Sequence, residues 1–212
     1  MISVNIAFDN DDRALGEFFR RCKDDLISFL KNQEIDGAAE YDVHEIHSER
    51  CSVDYMNERL PEINGKNFLF IAYSHGDVDC LSAGGASYID SGINPQIFKN
   101  SFFYAVACKA GAGLGLTLVG KGSHTFIGYW DEYKVPNLYV PLLVNCVNVG
   151  MKMFLNGQTA RESFRQMRQY YDQKIDQLTE LNAIIPASIL VGNREALVFF
   201  GREDLTIADF NV

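Results

Sequence analysis

A chain of 212 residues, 47% hydrophobic and 22% charged, has the composition of an ordinary globular domain. That length supplies a full core without a disulfide or metal staple, and the formal charge of −9 argues against a nucleic-acid partner, whose phosphates need a basic face. The five cysteines, Cys22, Cys51, Cys80, Cys108 and Cys146, contain no CxxC pair, which reads as free thiols in a reducing compartment. No apolar run reaches membrane-spanning length and the start Met1-Ile2-Ser3-Val4 has no signal-peptide pattern, so a cytoplasmic location with no membrane partner is expected.

In chain order, Ile2–Phe8 reads as a strand and Asp9-Asn10 as a turn. Asp11 and Asp12 lead into a helical stripe through Leu15, Phe18, Phe19, Cys22, Leu26, Phe29 and Leu30. Tyr41–Ile46 is a weaker strand, and Val53–Leu60 a short helix closed by Pro61. Phe68–Tyr73 is almost wholly apolar, the pattern of a strand buried on both faces. Residues 76–100 are rich in Gly, Ser and Asp, with a small hairpin expected around Ser87–Asp90. Phe102–Ala107 is a second buried strand, Gly111–Val119 is compatible with a helix, and Thr125–Trp130 is a further strand. Pro141 suits the first turn of a helix running through Leu143, Val147 and Met151 towards Gly157. A second helix begins at Thr159, and Ala196–Phe200 closes the chain's pattern as an edge strand. This alternation predicts an α/β fold: one domain over residues 1–212, with a mostly parallel central sheet flanked by helices on both faces.

Two of these strands end in chemically competent side chains. One delivers His75 followed by Gly76, the other Cys108 followed by Lys109-Ala110-Gly111. Ligands and reacting groups collect at the carboxyl ends of parallel strands, and a His and a Cys brought there form the nucleophile and general acid/base of a cysteine peptidase. Gly76 leaves its N–H unobstructed, so that it and the N–H of Cys108 can serve as an oxyanion hole. The glycine-rich stretch after Cys108 is expected to start a helix whose N-terminus favours the thiolate. Each residue also has an ordinary reading, since a cysteine is most often a small buried hydrophobe and a lone histidine a hydrogen-bonded structural group. Cys80 is the competing nucleophile, but Asp77-Val78-Asp79-Cys80 reads as a loop with no strand to deliver it. His44, His47 and His124 are poorer candidates for the base. No His, Cys and carboxylate set has metal-ligand spacing, so neither metal nor other cofactor is expected, and the loop acids Asp77, Asp79 and Asp90 form no defined Ca²⁺ loop.

The ordered set His75-Gly76, a strand into Ala107-Cys108, a glycine-rich helix, and a strand ending Gly128-Tyr129-Trp130-Asp131 resembles the CHAT-type caspase-like cysteine peptidases, relatives of caspases, gingipains and separase. The segment Phe154-Leu155-Asn156-Gly157-Gln158-Thr159-Ala160 with Phe164 is similar to that family's helix–Gly–Ala–helix ending. The resemblance implies a caspase-like fold, Cys108 as nucleophile, His75 as general acid/base, and the N–H groups of Gly76 and Cys108 around the oxyanion. It also implies that Asp131, with Glu132 as a second candidate, binds a basic P1 side chain of a protein substrate. The setting it implies is regulated cleavage, as in bacterial defence or cell-death pathways. The chain departs from the family in two ways: no long cleavable linker follows the nucleophile, and no repeat domain accompanies it, which points to a separate regulatory protein or constitutive activity.

Two other readings stand beside this one. Gly111-Ala112-Gly113-Leu114-Gly115 follows a strand and imitates a dinucleotide-binding turn, although residue 116 is Leu where the third glycine belongs. The chain can also be a catalytically inactive caspase-like module used for interaction.

Overall fold

The strands form where the apolar runs are, and the computed structural model describes residues 1–33, 41–63, 66–136 and 138–211. Along the chain lie β1 (Ile2–Phe8), α1 (Gly16–Lys31), β2 (Tyr41–His47), α2 (Val53–Arg59), β3 (Phe68–Tyr73), β4 (His75–Gly76), β5 (Cys80–Ala83) and β6 (Ala86–Asp90). They are followed by β7 (Ser101–Val106), α3 (Leu114–Gly120), β8 (Thr125–Tyr129), α4 (Val140–Leu155), α5 (Ala160–Glu180), α6 (Ile184–Glu195) and β9 (Leu197–Gly201). Six strands make a central sheet in the order β2-β1-β3-β7-β8-β9. Every pairing is parallel except β8 with the edge strand β9. The fold is therefore the expected α/β architecture, with β3 and β7 at the centre and buried at every position.

Alternation along the strands divides the core in two. Leu69, Ile71 and Tyr73 of β3 and Phe102, Tyr104 and Val106 of β7 face α1, α4 and α5. Phe68, Phe70 and Ala72, with Phe103 and Ala105, face α2, α3 and the β5–β6 ribbon. Phe70, Phe98 and Phe103 make a ring cluster on that second face, with centroids 4.9 to 5.1 Å apart.

Helix starts follow local chemistry. Asp12 Oδ1 accepts the N–H groups of Ala14 and Leu15 just ahead of α1, and Ser52 and Thr159 cap α2 and α5 through Tyr55 N–H and Glu162 N–H. Pro141 occupies the first turn of α4, as expected. Buried polar links tie this helical layer to the sheet; in one, the Tyr73 hydroxyl donates to Asn148 Oδ1 (2.7 Å), and Asn148 Nδ2 donates to the Cys22 carbonyl and to Asp25.

Four local expectations change. The stretch after β3 forms not one hairpin but a second, three-stranded antiparallel sheet, β4-β5-β6, and Cys80 opens β5 instead of lying in a loop. Helix α3 starts at Leu114 rather than in the glycine run, and β8 ends at Tyr129. Helix α6 is an element the sequence reading leaves out. Its buried residues are only Ala187, Leu190 and Asn193, too narrow a stripe to stand out beside Pro186 and Gly192.

Candidate active site

The pairing of β3 with β7 brings the segments that carry His75 and Cys108 to the same edge of the sheet. Tyr73 is in register with Val106, and the Ser74 N–H donates to the Val106 carbonyl (3.4 Å). The ladder ends there, two residues short of His75 and Cys108, and neighbouring strands are spaced about 4.8 Å apart. Cys108 packs on the face of Tyr73 and Val106, the α1/α4 side. The Phe19 ring of α1 meets the His75 ring edge-on at 5.8 Å. Gly76 is pressed against the Cys108 backbone: a Cβ there would lie 2.7 Å from the Cys108 carbonyl oxygen and 2.9 Å from Ala107 Cβ.

His75 has a carboxylate partner that the sequence reading missed. Asp12 Oδ2 lies 3.1 Å from His75 Nε2, with the two side chains 24% and 42% exposed. Burial raises the Asp12 carboxyl, but the Leu15 N–H, His75 and the Ala14 N–H outweigh it and hold the group below its ordinary value. Asp12 is thus ionised through neutral and mildly acidic pH, and Nδ1 is the ring nitrogen left free for a reacting group. Asp9, Asp12 and His75 together hold ligand-capable atoms within 4.8 Å of one another. Asp9 is already engaged by Ser48 Oγ and the Gly84 N–H, and Asp12 by its two backbone donors and His75.

The Cys108 sulfur accepts the Tyr133 N–H at 3.3 Å and lies 3.7 Å from the Tyr133 carbonyl. The donor that sequence reasoning assigned to a helix N-terminus is therefore a single amide from the β8–α4 connection, because α3 begins six residues beyond the thiol. Lys109 turns the chain sharply after Cys108 with φ at 56°, a left-handed conformation that costs a non-glycine residue about 1 kcal/mol. Its N–H donates to the Asp131 carbonyl and its carbonyl accepts the Ala112 N–H. The other thiols separate by burial. Desolvation, with Asp9 contributing at Cys51, pushes the Cys51 and Cys146 thiols up to about 12, and Cys22 is also raised. Cys80 is partly exposed, but it opens β5, whose Leu81 and Ala83 pack on the opposite face of the sheet from Cys108.

The oxyanion donors can be traced through the β4–β5 ladder. The Asp77 N–H donates to the Cys80 carbonyl, so the neighbouring pair Gly76–Leu81 is one that exchanges no hydrogen bonds. The Gly76 N–H accordingly points away from β5. Asp131 and Glu132 are exposed and border a depression of about 410 Å³ between the β8–α4 connection and α6, which Lys134, Ile184, Ile185 and Ser188 also line. Glu132 lies 3.7 Å from Lys134 Nζ, whereas Asp131 makes no ion pair among the described residues. His44 pairs with Asp42, His47 packs on Phe8, and His124 bonds Asn67, so none of the three approaches Cys108. The glycines of the dinucleotide-like run are used for internal packing: a Cβ on Gly113 would meet Val78 at 2.7 Å, and one on Gly115 would meet the Phe126 ring at 2.6 Å.

No family model matches the chain, and no curated protein matches it. Among solved structures, the chain is similar to a secreted C11 cysteine protease from Bacteroides thetaiotaomicron, solved in complex with an irreversible peptide inhibitor. The identity is 13% and the TM-score 0.41, over 66% of this chain and 53% of that one. The chain thus spans about half the length of the protein it overlays. Among the described residues, no helix is long and apolar enough to cross a membrane.

Proposed function

We propose that this chain is a cysteine endopeptidase with a caspase-like arrangement of its dyad. The Cys108 thiolate attacks the scissile carbonyl carbon, and the N–H groups of Gly76 and Cys108 receive the oxyanion. His75, oriented through Nε2 by Asp12, protonates the leaving amine as the C–N bond breaks and a thioester forms. Water, deprotonated by His75, then attacks the thioester, releasing the acid and restoring the thiol. The observation that supports this reading is that β3 and β7 are paired up to Tyr73 and Val106, two residues short of His75 and Cys108, and that His75 meets Phe19 on the core face where Cys108 packs.

Asp12→Asn is expected to lower kcat/KM on the order of 10- to 100-fold. That is less than the ~10⁴ of a fully buried triad carboxylate, because Asp12 and His75 are both partly solvated. Since the wild-type carboxyl is held low, its contribution to both stability and rate is present at neutral pH and is lost only as pH falls below the ordinary carboxylate range. A pH–rate profile of wild type and variant checks this; equal kcat/KM at pH 7 removes Asp12 from the machinery.

Cleavage after Arg or Lys is the finer part of the proposal. It is supported by Asp131, which makes no ion pair among the described residues and whose backbone is bonded to Lys109 beside the nucleophile. A fluorogenic peptide panel varied at P1 is expected to favour Arg and Lys, and Asp131→Asn to reduce that preference roughly tenfold or more. A preference for acidic or large apolar P1 residues takes Asp131 and Glu132 out of the pocket. A protein substrate, a separate regulatory protein and a role in defence or cell death belong to the same proposal.

A further inference from the structure

We propose that Asn193, on α6, is a positioning residue for Cys108, holding the Tyr133 N–H on the sulfur. This rests on Cys108 being the nucleophile. Asn193 is fully buried, and its amide engages both backbone groups of one residue: Oδ1 accepts the Lys134 N–H at 2.9 Å and Nδ2 donates to the Lys134 carbonyl at 2.8 Å. A side chain here supplies what a neighbouring strand supplies elsewhere, fixing the plane of the chain at residue 134. The preceding amide is the one that points at Cys108 Sγ. Tyr133 is anchored from its other end, with its ring buried against Phe18 and Tyr129. Between the ring and the Asn193 clamp the Tyr133 N–H has little freedom to turn from the sulfur. A hydrogen bond to the charged form of an acid favours that form. With α3 beginning six residues away, this amide is the backbone donor shown at the thiol. Burying an asparagine is costly unless every hydrogen bond is made, and both of the bonds it makes go to this one segment.

The test is the pH profile of Cys108 alkylation by iodoacetamide on the full chain, read at Cys108 by peptide mass mapping. In Asn193→Ala the midpoint of that profile is expected to rise by about one pH unit, so that alkylation below the midpoint slows about tenfold while the rate well above it is unchanged. Ala187→Gly, buried on the same helix, is the control for general destabilisation and is expected to leave the profile in place. If Asn193→Ala does not fold by circular dichroism, Asn193→Ser, which admits water to the Lys134 backbone, goes through the same profile with the same expected shift. An unchanged midpoint in the folded Asn193 variant overturns the proposal, as does an equal shift in Ala187→Gly. Alkylation is read without any peptide turnover. A shifted profile in a chain that cleaves nothing therefore supports the role of Asn193 and counts only against the peptidase reading.

Discussion

Cys108→Ala is expected to lower kcat for peptide hydrolysis on the order of 10⁴-fold or more, with the far-UV spectrum and melting temperature nearly unchanged. Removing a covalent nucleophile leaves only what binding and the oxyanion donors contribute. The structural cost is small because Cys108 stands at the rim of the sheet and is only partly buried. The same substitution at Cys80 is expected to leave kcat within about twofold, since Cys80 opens a strand of the second sheet whose Leu81 and Ala83 pack in the opposite face of the core. The comparison is informative because these two are the partly exposed thiols, the other three being buried. Loss of activity in Cys80→Ala with retention in Cys108→Ala reverses the assignment.

Gly76→Ala is expected to damage both stability and rate. The added methyl meets backbone and Cβ atoms at 2.7 and 2.9 Å and the Leu81 side chain at 3.2 Å. The first two cannot rotate away, so the ends of β3 and β7 have to part. Overpacking of this kind costs about 1–3 kcal/mol. The displaced groups include both N–H donors assigned to the oxyanion, and losing one such donor lowers kcat by about 10²–10³. The expected signature is a fall in kcat larger than the rise in KM, with the denaturation midpoint reduced. A variant that loses stability but keeps kcat moves the oxyanion site away from Gly76.

The sequence carries much of the fold because the decisive strands are buried on both faces. Phe68–Tyr73 has no polar residue to blur its limits, and the strand matches them. Ile2–Phe8 does so as well. The thiol and the imidazole are legible for the same reason: each follows an apolar run at a strand's carboxyl end. What is not legible is whatever depends on contacts far along the chain. Asp12 reads as an ordinary acid before a helix, and its engagement with His75 exists only once β1 lies beside β3. The amide at Cys108 belongs to the backbone of Tyr133, on which side-chain identity is silent. Helix α6 was hidden by Ile184, Ile185, Pro186, Ile189 and Gly192, residues of weak helix propensity; Pro186 is tolerated because it falls in the first turn, where its missing N–H has no helical partner to lose. The glycines after Cys108 suggested a helix start, yet they serve close packing against Val78 and Phe126.

The central claim is that Cys108, faced by His75, is the nucleophile of peptide hydrolysis. It is tested most directly by treating the chain with a peptidyl chloromethyl ketone carrying Arg at P1 and mapping the adduct by mass spectrometry. The expected result is one thioether on Cys108, formed in wild type, slowed by His75→Ala and absent in Cys108→Ala. An adduct on Cys80, or labelling of Cys108 no faster than that of a free thiol in the unfolded chain, contradicts the account.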